Sequence, residues 1–288
     1  MLWFVLSILT AFFSATQAAL IKRTLSDLSP LELAFVPMAF SIPLFALTLS
    51  LVPSPPLSPD FWPTVFLLLP FNLAGMLFTM WAVRLSPLSL TLPFLAFTPA
   101  LVMVSGFVLL GEVPNWMGGV GIGGIVAGSY ILNLKRGEHS LLAPFRAVTR
   151  EKGSLLMLAA AVIFGLTAVL GKKIILQSSP LYAACVFFLI QNCAFVAGVL
   201  LSGKVRPNIL WTRRWVGIAV GGVIFLEIFC HFLAVSMVDT AYMIAIKRLN
   251  GLFGVLYGGF LFKEEHLRER LTGAGLMTAG AALLALTG

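Results

Sequence analysis

Four ionisable side chains lie where a hydrocarbon solvent would exclude them: Glu227 and His231 in the run FLEIFCHFLAV, and Lys247 and Arg248 in AYMIAIKRLNGLFGVLYGGFLF. If these runs are antiparallel helices joined near Met237, Glu227 stands ten residues before the turn and Lys247 ten after it. At about 1.5 Å per residue both lie ~15 Å below the turn, near the middle of a hydrocarbon core ~30 Å thick. A charge at that depth costs several kcal/mol unless it is paired or hydrated, so such residues usually mark a pathway or a binding site. The plainer alternative is a Glu227–Lys247 ion pair that only fixes how the helices pack. His231 is one helical turn from Glu227 and shares its face. An imidazole ordinarily titrates near neutrality, which beside a carboxylate suits a proton carrier. Alone, it would simply pack. Lys247 and Arg248 would attract a carboxylate or phosphate, with Asn250, Tyr257, Thr91 and Thr98 adding hydrogen-bonding groups to a solute site.

The composition limits what else this chain can be. Its 288 residues are 59% hydrophobic and 10% charged, with a mean hydropathy of +1.01. Soluble domains carry about 25% charged residues, so the chain reads as an integral, multi-pass membrane protein. The net charge of +8 does not indicate nucleic acid. Basic residues sit at the ends of apolar runs, as membrane topology requires, and no segment is polar enough to present a basic face with stacking aromatics. Cys185, Cys193 and Cys230 fall inside apolar runs and are expected to pack, with no zinc or redox spacing. His139, His231 and His266 are scattered, and no nucleophile–base constellation or nucleotide loop is visible. The sequence therefore supports no enzyme, cofactor or metal. The first apolar run lacks the basic leader of a signal peptide and is taken as the first spanning helix.

Ten apolar segments of spanning length position these residues: 2–21, 31–51, 61–82, 87–110, 113–133, 153–173, 181–202, 212–235, 240–262 and 270–287. The two halves repeat. At an offset of 152, Ala82, Gly106, Glu112, Gly121, Gly123 and Gly128 match Ala234, Gly258, Glu264, Gly273, Gly275 and Gly280. At an offset of 150, Lys22, Ser29 and Pro30 match Lys172, Ser179 and Pro180. Five helices per copy is an odd number, so the second copy must enter the membrane from the other side. The expected fold is all-α, with ten transmembrane helices as two inverted five-helix repeats at 1–133 and 153–288 and a polar link at 134–152. Basic residues gather in the connections after segments 1, 3, 5, 7 and 9, for example Lys22, Arg84, Lys135, Lys204 and Arg213. The opposite connections hold Lys172 and Lys173 only. That bias places both termini outside the cytoplasm.

Glycines 118, 119, 121, 123, 124 and 128, and their counterparts 273, 275 and 280, suit close helix packing. A phosphate loop would need a preceding strand and a following lysine, and both are missing. Glu112 and Glu264 are expected to cap the helix that follows each of them. Pro87, Pro93 and Pro99 break segment 4, which lies opposite the charged segment 9 across the repeat axis. Such a break is tolerated at depth where it faces protein or a watery cavity. A kinked packing helix would have the same spacing. Gln17, Asn72, Gln191 and Asn192 can bond neighbouring helices. Trp3, Trp62, Trp81, Trp116, Trp211 and Trp215 read as interfacial anchors.

The runs RLSPLSLTLPFLAFTPALVMVSGFVLLGE and MVDTAYMIAIKRLNGLFGVLYGGFLFKEE, the glycine-rich helices after them and the two-repeat plan resemble EamA-type proteins of the drug/metabolite transporter superfamily. That resemblance implies secondary transport, often export, of small organic metabolites or amino acids from the bacterial inner membrane, with both termini cytoplasmic. The terminus expectation conflicts with the charge bias. The combined expectation is alternating access to a small-molecule substrate, an amino acid or organic anion, by a monomer or homodimer in contact with membrane lipid. Lys247, Arg248, Asn250, Tyr257, Thr91 and Thr98 would bind the solute, and Glu227 with His231 would couple a proton. A proton-coupled exporter of hydrophobic cations is the second reading. A non-transporting scaffold or lipid-handling protein is the third.

Overall fold

A computed structural model describes residues 1–86, 88–133, 145, 150–262 and 271–287. The described residues form helices and no strand: α1 Leu2–Thr24, α2 Pro30–Leu51, α3 Phe61–Leu85, α4 Leu88–Leu95, α5 Thr98–Leu110, α6 Trp116–Asn133, α7 Lys152–Leu176, α8 Pro180–Leu201, α9 Asn208–Thr212, α10 Arg214–Val235, α11 Thr240–Lys247, α12 Asn250–Phe262 and α13 Leu271–Thr287. Seven stretches among them are long and apolar enough to cross a membrane, and 116–132 and 272–287 are shorter apolar helices. Large side chains such as Phe66, Phe107, Val108 and Phe260 stand exposed on the outside, a surface that suits lipid and not water. Most of the polar link lies outside the described residues, as do Pro87, His139, Glu264 and His266.

Local chemistry sets the helix ends. Pro30 occupies the first turn of α2, where its missing N–H costs nothing. Ser29 and Glu32 close a capping box around it. The helix bounds repeat along the chain. At an offset of 152, α4 and α5 map onto α11 and α12. The break at Ala96–Phe97 therefore corresponds to one at Arg248–Leu249. Pro99, in the first turn of α5, explains the first break. The second has no proline, and no local sequence signal marks it. There the Arg248 and Leu249 N–H groups tighten onto Ala245 and Ile246 carbonyls at 3.0 and 2.9 Å, the three-residue step of a 3₁₀ turn.

The principal contacts join one half of the chain to the other: α1 to α10, α2 to α8, α3 to α7, and α6 to α13. The α6–α13 contact uses glycine as expected. A Cβ on Gly128 would come 2.6 Å from the Gly273 carbonyl oxygen, and one on Gly280 would come 2.5 Å from that of Gly121. Backbone blocks backbone, so neither helix can yield by turning a side chain. Gly128→Leu is expected to separate these helices and cost at least 1–3 kcal/mol, read as a lowered unfolding temperature in detergent. Gly119→Leu, on a face where a Cβ meets nothing, should be tolerated.

Two expectations fail here. Trp3 is no interfacial anchor: it is 6% exposed and packs against Phe4 and Tyr242, because α1 buries its first turn under α11. Cys193 is exposed, whereas Cys185 and Cys230 are buried, so only the latter two pack as expected.

Candidate functional site

The halves line a partly open chamber of about 390 Å³ between α1–α5, α7, α8 and α10–α12. Glu227 and His231 project from one face of α10, and Lys247, Arg248 and Asn250 from the break between α11 and α12. The Lys247 ammonium lies 3.0 Å from a Glu227 carboxylate oxygen, so the equal depths read from the turn do bring the two together. The pair is not sealed off, because both residues line the chamber and the Lys247 side chain is 28% exposed. Among the described residues, Arg248 Nε and His231 Nδ1 are buried with no hydrogen-bond partner. Polar atoms are seldom buried this way unless something else is meant to meet them.

The remaining walls divide into an amide side and an aromatic side. Asn72 Nδ2 donates to the Gln191 side-chain oxygen Oε1 at 2.7 Å, and Asn192 Nδ2 to the Ser41 hydroxyl at 2.9 Å. These bonds span α3–α8 and α2–α8, as expected of polar side chains at depth. Phe164, Phe187, Phe188 and Phe232 supply apolar surface. Such a cavity holds a small molecule with a charged end and an apolar body.

Tyr257 lies elsewhere. It lines a second cavity of about 380 Å³ between α1, α4, α6 and α12, which meets the chamber at Ser14, Leu95, Arg248 and Asn250. This cleft runs from Arg248 to Lys22, exposed in the last turn of α1. Its walls are thin because Ala15, Ala18 and Ala19 face Gly251, Gly254 and Gly258. The Tyr257 hydroxyl is 2.7 Å from Thr16 Oγ1, and Asn250 donates to Ser14 Oγ at 3.4 Å. Thr98 lines the chamber, but its hydroxyl is engaged by the Leu95 carbonyl at 2.8 Å. Thr91 is fully buried and lines neither cavity.

At the chamber's other end, Glu112 does not cap the helix that follows it. Gly111, at φ +70°, turns the chain away from α5 and aims Glu112 at the second half. One Glu112 oxygen accepts from the Thr240 backbone N–H at 2.9 Å, so it caps α11. The other accepts from the Thr240 hydroxyl at 3.1 Å and pairs with Lys172. Lys172 also donates to the Val238 carbonyl at 2.8 Å. Sequence spacing missed this cluster because its members lie far apart in the chain. The repeat offered a hint, since Lys172 matches Lys22 and Glu112 matches Glu264 in the other half.

A helical bundle that presents an apolar exterior and keeps paired and unpaired charges around an inner chamber is the architecture of an integral, multi-pass membrane protein that handles solutes. The chain belongs to the EamA-like transporter family, which it matches twice, over residues 1–134 and 151–286. A solved structure titled only "Crystal structure of protein" shares the fold, with a TM-score of 0.73 over 99% of this chain and 96% of that one at 15% identity. No curated protein matches the chain.

Proposed function

We propose that the protein is a secondary active transporter that exports a small organic solute carrying a carboxylate, an amino acid or organic anion, from the bacterial cytoplasm. Its ten spans form two inverted five-helix repeats, 1–133 and 153–288, joined by the link 134–152. The basic connections face the cytoplasm, and the molecule acts as a monomer or homodimer. The observation that carries this reading is the buried, unpartnered Arg248 Nε beside a Glu227–Lys247 pair, all lining one chamber.

Charge arithmetic follows from that arrangement. With Glu227 ionised, its charge cancels that of Lys247, and Arg248 leaves the chamber one positive charge to offer. A proton taken by Glu227 releases Lys247 to a second acceptor on the solute. Proton and solute binding are thereby linked through one lysine. His231, one turn away, can pass the proton to or from the carboxylate. Asn250 and Tyr257 line the route toward Lys22, while Thr91 and Thr98 hold the broken helix that forms its wall. A hydrophobic cation fits poorly, because it would meet Arg248 in a low-dielectric space.

Purified protein in proteoliposomes tests the reading. Uptake of amino acids and monocarboxylates should exceed that of quaternary amines and should respond to an imposed pH gradient. Preference for the amines would overturn it. The route itself has a steric test. A Cβ on Gly254 would meet open space, so Gly254→Trp should fill the cleft without displacing packed atoms. It should gain roughly 0.5 kcal/mol of helix propensity. Transport should fall about tenfold or more with the unfolding temperature unchanged or raised.

A further inference from the structure

We infer that α9 and the first turns of α10 form a binding site for an anionic phospholipid, with its phosphodiester at Arg214 and its acyl chains along α10. The connection 202–214 carries Lys204, Arg206, Arg213 and Arg214. The α1–α2 connection beside it offers Asp27, which Arg213 takes. Glu32, in the first turn of α2, closes the capping box with Ser29. Among the described residues, Lys204, Arg206 and Arg214 have no carboxylate partner. Three cations at a membrane surface therefore stay uncompensated until an anion meets them.

The segment that carries them is held in place. Val205 and Ile209 are buried in one cluster with Phe35, Val36, Phe195 and Val199, which clamps the segment to α2 and α8. Glycines seat α10 on α2: a Cβ on Gly217 would run into the Phe40 ring, and one on Gly221 would come 3.0 Å from the Phe40 carbonyl carbon. With that face of α10 taken, Trp215, Ile218 and Leu226 stand exposed. At 3.6 residues per turn they form one stripe along the helix. A cation at the head of an exposed apolar stripe matches an amphiphile and not a soluble anion.

Arg214 sets the headgroup chemistry. Its guanidinium carbon lies 4.6 Å from the Trp211 ring centroid and 5.7 Å from that of Trp215. One of its N–H groups donates to the Trp211 carbonyl at 3.1 Å, and the others are left for a phosphate. Indole rings favour the headgroup level of a bilayer, and these two are 72% and 73% exposed. They hold the guanidinium at that level with its orientation set before a lipid arrives. A choline or ammonium headgroup would be attracted to open aromatic faces, but here it would be brought up against Arg214. A phosphodiester whose headgroup carries no cation meets no such repulsion and neutralises the uncompensated charges.

The inference does not depend on what the protein transports, and brominated lipids test it. Protein in phosphatidylcholine vesicles receives a small fraction of phosphatidylglycerol or phosphatidylcholine with brominated chains, which quench nearby tryptophans. The parent should bind the phosphatidylglycerol more tightly, read as stronger quenching at equal mole fraction. Arg214→Gln should lower that preference in apparent affinity about fivefold, the weight of one basic residue at an anionic surface. The double variant Lys204→Gln with Arg206→Gln should lower it too. Arg84→Gln, three residues from the exposed Trp81, should leave it unchanged. If Arg214→Gln fails to insert, the double variant decides. A parent without preference, an unchanged preference in Arg214→Gln or in the double variant, or an equal loss in Arg84→Gln overturns the site. So does a preference abolished by millimolar glycerol phosphate, which would make the ligand a soluble phosphate.

Discussion

Lys247→Ala will leave an inserted protein that no longer moves its solute. Combining Glu227→Gln with Lys247→Met will restore stability without restoring transport. The two effects part because a buried pair contributes little net stability, whereas half a pair is a liability. Removing one partner strands the other charge and costs about 3–5 kcal/mol. The cost should sit toward the lower end, because 28% of the Lys247 side chain is exposed. Replacing both with neutral groups of similar shape removes the stranded charge, so the double variant should unfold at a higher temperature than either single variant. A pair that served only to fix α10 against α11 would then transport normally. A pair that exchanges partners with the solute cannot. Unfolding temperatures in detergent and uptake in proteoliposomes, measured on all three variants, decide the matter. Wild-type transport by the double variant would sink the role given to Lys247. Glu227→Gln alone should bind solute but lose its response to a pH gradient, since Lys247 is then permanently free.

How much of this was legible in the sequence depends on distance along the chain. Glu227 and Lys247 were placed together because a turn at Met237 sets equal depths on two adjacent helices, and they do meet at 3.0 Å. The small residues of α6 and α13 announced a close contact because glycine at depth has few other uses. The break at Arg248 was not read, because nothing local forces it. The repeat carried it instead: a proline break at Ala96–Phe97 implies a hinge 152 residues on, and the structure has one there. Tyr257 was grouped with the charges by sequence, yet it faces the cleft beyond the break, since α12 no longer continues the face of α11. Glu112 was misread because capping rules look to the next helix. Its true partners are the Thr240 amide, more than a hundred residues away, and Lys172. Contacts between halves are invisible to rules that look only a few residues ahead.

Arg248→Met should make the protein more stable and worse at its task. In an ordinary structural arginine, substitution breaks hydrogen bonds and the fold weakens. Arg248 Nε is buried without a partner, so the empty protein already bears the desolvation cost of an unmet donor, roughly 1–3 kcal/mol. Methionine fills much of the same volume and removes that cost, so the unfolding temperature should rise. The solute's carboxylate would then lose a charge-assisted hydrogen bond, and its affinity should fall about tenfold to a hundredfold. Arg248→Lys keeps the charge but not the planar fork, so it should fall between the two in affinity. The combination of higher stability and weaker binding is the signature of a group held in a poor environment for the sake of a ligand. Binding by calorimetry and unfolding by fluorescence on the same three proteins would show it. If Arg248→Met unfolds earlier than the parent and binds the acid equally well, the guanidinium is a packing element and the anionic end of the solute must be sought elsewhere in the chamber.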